Sequence, residues 1–88
     1  MTDINDLRNA IDVIDNNILE LIYERMTLVD KIGDFKTKNN IVITDKSREN
    51  QLIETLILNN NKVDKQLIVD LWTVLLNHSK TRQSLHGQ

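Results

Sequence analysis

Apolar residues recur alternately three and four apart through the first part of the chain: Ile4, Leu7, Ile11, Ile14, Ile18, Leu21, then Leu28, Ile32 and Phe35. That alternation is the heptad seam of one long helix. Asp3 stands where a side chain can cap its start, and the helix is expected to end near Lys38 or Asn39. Gly33 weakens the last turns by about 1 kcal/mol relative to alanine without forcing a stop. After the connection "NNIVIT", a second and shorter helix is expected from about Asp45, carrying Leu52, Ile53, Leu56 and Ile57 and closing at "NNNK". Asp64 then caps a third helix whose apolar set is Leu67, Ile68, Leu71, Trp72 and Leu75. The expected fold is all-α, with a long, a short and a medium helix in a single domain spanning residues 1–88.

Length makes the first helix an argument in its own right. About 35 residues at 1.5 Å each form a rod of roughly 50 Å. A compact domain of this size has a radius of gyration of about 12 Å, hence a diameter on the order of 30 Å. The rod therefore protrudes, and its apolar seam needs something to bury it. The simplest partner is a second copy related by a two-fold axis, which predicts a homodimer with intertwined long helices.

Composition narrows the chemistry. A chain of 88 residues buries a small share of its surface, which also favours association. It has no cysteine, so it holds neither a disulfide framework nor a thiolate metal site, and His78 and His86 are too few for a zinc centre without carboxylates. No metal is expected. The start "MTDINDLRNA" lacks the basic opening and apolar run of a signal peptide, and no stretch approaches the roughly 20 apolar residues of a membrane span, so a soluble, cytoplasmic protein is expected. Net charge is −2, and the basic residues are scattered singly rather than gathered into a patch that follows a nucleic-acid backbone. Proline is absent, and only Gly33 and Gly87 can punctuate the chain.

The candidate chemistry lies where the apolar pattern breaks. Arg25 takes a seam position, either snorkelling outward, forming a structural ion pair, or pointing a buried guanidinium at an anion. Lys36, eleven residues on, projects from the same face about 16 Å along the axis, and both side chains can reach one ligand held between them. On the second helix the buried stripe continues backward into Glu49 and Asp45, which either serve the helix N-terminus or face a site; Arg48 lies beside them, within reach of Asp45. On the third helix the stripe runs on into Ser79 and Gln83, four apart on one face. Arg8 lies seventeen positions from Arg25, about 25 Å along the axis, too far to share a small ligand within its own subunit. In an antiparallel or crossed dimer it can complete the partner's site. The pattern predicts a cation-rich polar pocket inside a helical bundle.

These residues resemble the all-helical chorismate mutases, whose pattern is arginine, arginine, lysine, then Asp-x-x-Arg-Glu, and finally Ser-x-x-x-Gln. Here it reads Arg8 in "DLRNAIDVID", Arg25 in "YERM", Lys36 in "GDFK", Asp45, Arg48 and Glu49 in "DKSRE", and Ser79 with Gln83 in "SKTRQ", covering about residues 4 to 84. The resemblance implies a domain-swapped homodimer, a six-helix bundle with two equivalent sites. It also implies the rearrangement of chorismate to prephenate in the shikimate-pathway route to phenylalanine and tyrosine, without cofactor or metal. Arg25 and the partner's Arg8 would hold the substrate carboxylates, supported by Arg48 and Ser79. Lys36 and Gln83 would donate to the ether oxygen, which gains negative charge as its bond stretches. Glu49 would accept from the ring hydroxyl, with Asp45 assisting. Lys46 and Ser47 are expected to be replaceable surface residues.

Two other readings compete. Isochorismate-pyruvate lyases share the scaffold, but the resemblance separates them, because they lack the Asp and Glu that flank the second-helix arginine and that Asp45 and Glu49 supply here. A non-catalytic helical dimerisation or regulatory module would have no use for so many charges on buried faces, since an unpaired buried charge is destabilising.

Overall fold

A computed structural model of the chain describes residues 3–86, with the side chain of His86 left aside. Gly87, singled out above as a breaker, lies outside the described residues. Three helices follow one another: α1 (Ile4–Lys38), α2 (Lys46–Asn59) and α3 (Lys65–His86). Their order and lengths match the expected long, short and medium, and no strand occurs among the described residues.

Local chemistry explains the boundaries. The Asp3 carboxylate accepts from the Asp6 backbone N–H at 2.9 Å while Asp6 accepts from the Asp3 N–H at 3.3 Å, a reciprocal capping box. α1 closes at Asn39 through a Schellman arrangement: Ile41 N–H donates to the Lys36 carbonyl at 2.8 Å, and Asn40 N–H to the Thr37 carbonyl at 3.3 Å. Asn40 takes the left-handed conformation this requires, with φ 55°, where asparagine is among the least disfavoured non-glycine residues. Asp45 caps α2 by accepting from Arg48 N–H at 3.0 Å. Asp64 does the same for α3, accepting from Gln66 and Leu67.

α3 packs against both α1 and α2. The face that α1 turns to α3 is Ile22, Met26, Val29 and Gly33, together with Arg25, Asp30 and Lys36. Arg25 apart, it lies beside the heptad seam: the apolar seam residues from Ile4 to Phe35 are 45–64% exposed. α1 thus carries two apolar faces, one used within the chain and one left open. Gly33 has a packing role that propensity alone does not reveal. A Cβ built there would lie 2.8 Å from Gln83 Cα and 3.0 Å from the Gln83 carbonyl oxygen, so glycine is what lets α3 approach this closely.

The chain is elongated, with extents of 58 × 25 × 16 Å and a radius of gyration of 16.5 Å against the 12 Å or so of a compact domain. Its accessible surface is 7190 Å², where a compact monomer of 10.2 kDa would show about 5,300 Å². No described helix is long and apolar enough to cross a membrane.

Candidate active site

The Schellman turn and the two caps bring the end of α1, the start of α2 and the end of α3 to one place. A small cavity of about 90 Å³ forms there, lined by Lys36 from α1, Ile43 from the connection, and Asp45, Arg48 and Glu49 from the start of α2. Leu76, Ser79, Lys80 and Gln83 of α3 complete the wall. Six of the eight residues singled out from the sequence therefore share one cavity.

Lys36 is fixed twice. Its carbonyl accepts the Schellman bond, and its Nζ donates to the Ile43 carbonyl at 3.0 Å, which holds the ammonium at the cavity wall. Asp45 uses its side chain as the helix cap and remains exposed, so its capping and lining positions coexist. Glu49 is half-buried in line with Leu52, Ile53, Leu56 and Ile57, as the stripe predicted. Its Oε1 pairs with Lys80 Nζ at 3.1 Å. Arg48 is exposed, and its guanidinium makes no hydrogen bond or ion pair among the described residues.

Ser79 and Gln83 are only 5% and 7% exposed, which makes them the buried polar residues of the described chain. The Ser79 hydroxyl donates to the Leu75 carbonyl at 2.7 Å and accepts from Arg25 Nη1. Gln83 Oε1 is buried with no hydrogen-bond partner among the described residues, the kind of orphan that a folded core avoids and a binding site tolerates.

Arg25 joins this cavity to a second feature. It reaches Ser79 from the rim of an apolar groove of about 510 Å³ between α1 and α3, lined by Ile18, Leu21, Ile22, Leu71, Trp72, Val74 and Leu75. Burial lowers its pKa, although arginine stays charged throughout the working pH range. Its hydrogen-bond partner among the described residues is a neutral hydroxyl. Arg82 shows the contrast: it clasps Asp30 with Nε and Nη2 at 2.8 and 2.6 Å, and that hydrogen bonding raises its pKa. One arginine is neutralised in a structural pair, whereas the other is withdrawn from water without an anion. Chemically, the cavity wall presents the cations Lys36, Arg48 and Lys80 together with the carboxylates Asp45 and Glu49, and Arg25 stands beside it.

Arg8 lies exposed on α1, roughly 25 Å along the rod from Arg25, and does not line the cavity. Sequence reasoning missed Lys80 and Arg82. Lys80 follows Ser79 directly and falls on the α3 face turned to Glu49, but a single lysine near a helix end carries no periodic signal. Lys46 lines a neighbouring hollow rather than the cavity, and Ser47 is exposed. Among the described residues no cluster of three or more histidine, cysteine or acidic side chains could hold a metal ion.

Comparison with known proteins gives a consistent family. The model of the chorismate mutase type II family matches residues 7–84. A chorismate mutase of Methanocaldococcus jannaschii is 31% identical over 80 residues, covering 89% of this chain and 81% of the relative. A bifunctional chorismate mutase/prephenate dehydratase of Aquifex aeolicus is 38% identical over 63 residues, covering 72% of this chain and 17% of the relative. A protein of the same description from Buchnera aphidicola is 33% identical over 78 residues, 86% of this chain and 21% of its own length. The chain thus spans about a fifth of these bifunctional relatives. No solved structure matches it significantly.

Proposed function

The chain belongs to the chorismate mutase type II family, and from that premise we infer that it rearranges chorismate to prephenate, as one soluble, cytoplasmic mutase domain acting in a homodimer. The observation that carries the assignment of the site is the convergence of Lys36, Arg48, Glu49, Ser79 and Gln83 on one polar cavity.

The reaction needs no covalent help from the protein. A dicarboxylate must be folded into a compact chair, and the ether oxygen must be stabilised as its bond to the ring carbon breaks. Arg25 supplies a half-buried guanidinium lacking an anionic partner, suited to a carboxylate. Arg48 contributes a second cation, and Ser79 holds Arg25 until the substrate arrives. Lys36 and the Gln83 amide are the donors for the ether oxygen. Their interactions strengthen as charge develops, so they lower the barrier rather than only the ground state. Glu49 accepts from the ring hydroxyl and Asp45 holds the start of α2. Fixing the reacting carbons within near-attack distance supplies the rest.

The cavity as it stands has room for about three waters, below the roughly 300 Å³ at which small-molecule sites begin. In this reading binding enlarges it: Arg25 turns from Ser79 to the substrate, which joins the cavity to the apolar groove. A second copy fills that groove with its own α1 and brings its Arg8 to the substrate. The exposed seam and the excess surface support this six-helix, domain-swapped arrangement.

The test is turnover of chorismate and, separately, isochorismate by purified protein. Chorismate consumption is expected, with Arg25→Ala and Lys36→Ala each losing at least a hundredfold in kcat/KM while remaining helical. Full activity in either variant would remove the site assignment. Pyruvate release from isochorismate with chorismate untouched would select the lyase reading.

A further inference from the structure

Lys80 stands outside the eight-residue pattern, yet it lines the cavity and holds the one carboxylate assigned to the substrate's hydroxyl. The pair it forms with Glu49 lies between two spaces. On one side is the polar cavity; on the other is a hollow of about 180 Å³ between α2 and α3, and both Glu49 and Lys80 line each of them. The side chains are only 16% and 28% exposed, so the pair is partly withdrawn from the solvent that makes most surface ion pairs ineffective.

A site for a dianion has a difficulty with Glu49. A carboxylate is the right acceptor for a hydroxyl, but its charge repels both substrate carboxylates, and low local dielectric enlarges that repulsion. Of the charged groups on the cavity wall, Lys36 is bonded to the Ile43 carbonyl, Arg48 makes no ion pair among the described residues, and Asp45 adds a further negative charge. Lys80 is the cation in contact with Glu49. It engages Oε1, leaving Oε2 to accept.

We propose that Lys80 is a positioning residue for this reaction: its ammonium neutralises Glu49 and fixes its carboxylate, so that Glu49 can accept from the substrate's hydroxyl without repelling the substrate's carboxylates. The inference rests on the mutase reading of the same cavity. Lys80→Met keeps most of the stem and removes the charge. Its kcat/KM on chorismate is expected to fall about tenfold, mostly through KM, because repulsion acts on bound substrate and transition state alike. Lys80→Arg, which restores the charge, should recover most of the loss. In a Glu49→Gln background there is no charge left to neutralise, so adding Lys80→Met should change KM by less than about twofold.

A merely structural ion pair would move the unfolding midpoint and leave KM alone, which would overturn the proposal. So would an equal loss from Lys80→Met in both backgrounds, which would make Lys80 a direct substrate contact. Loss of activity in Lys36→Ala with Lys80→Met unchanged would sink this inference and spare the site. Full activity in Lys36→Ala would take both down.

Discussion

At the scale of the residue, the site is distinguished by polar groups left incompletely satisfied. Among the described residues, Arg25 has lost solvent and gained only a hydroxyl, and Gln83 Oε1 has lost solvent and gained no partner. Gln83 also fixes how the enzyme should respond to pH. A neutral amide donates at any working pH, whereas a carboxyl in the same place donates only while protonated. Glu ordinarily titrates near pH 4.3, and burial pushes it up by disfavouring the anion. Gln83→Glu is therefore expected to be most active in acid and to lose about tenfold per pH unit above the new carboxyl's pKa. The wild type should show no such limb from this position. A pH–kcat/KM profile of the two proteins checks this, and parallel profiles would remove Gln83 from the ether oxygen.

At the scale of the element, the helices were legible from the sequence because each boundary is a local event: Asp3, Asp45 and Asp64 cap the three starts through their own side chains. The cavity that gathers Glu49, Ser79 and Gln83 was legible because polar residues interrupted otherwise apolar stripes. What stayed hidden depends on two helices at once. The repeat of Leu21, Leu28 and Ile32 outweighed the neighbouring face of Ile22, Met26, Val29 and Gly33, so the sequence alone did not tell the in-chain contact from the open seam. Gly33 read as a small helix defect, whereas it faces the Gln83 backbone with no room for a Cβ. Those two readings predict opposite signs for Gly33→Ala. Helix propensity would stabilise the variant by about 1 kcal/mol. Against it stands a Cβ placed 2.8 Å from a backbone atom of Gln83, which cannot rotate away, and overpacking of this kind destabilises by about 1–3 kcal/mol. Backbone contact should win. Urea unfolding should show a lower midpoint, and kcat should fall as Gln83 is pushed off its position. An unchanged or raised midpoint would mean that α3 sits farther from α1 than described.

At the scale of the whole molecule, a rod with an uncovered apolar seam and about a third more surface than a compact monomer is hard to reconcile with a solitary chain. The position of Arg8 sharpens that point into a prediction about stoichiometry. Within one subunit Arg8 is roughly 25 Å from Arg25, so in the proposed dimer each site would combine Arg25 of one chain with Arg8 of the other. Arg8→Ala and Arg25→Ala homodimers would then both be inactive, for defects that sit in different chains of the same site. Mixed in equal amounts and allowed to exchange, half of the dimers should be hybrids. In each hybrid one site collects both substitutions and the other collects none. Activity should return to about a quarter of the wild-type value. A chain that supplied both arginines to its own site would give no recovery on mixing, because every site would still carry one defect. Sedimentation of the mixture establishes that dimers are present, and chorismate turnover before and after exchange decides between the two arrangements.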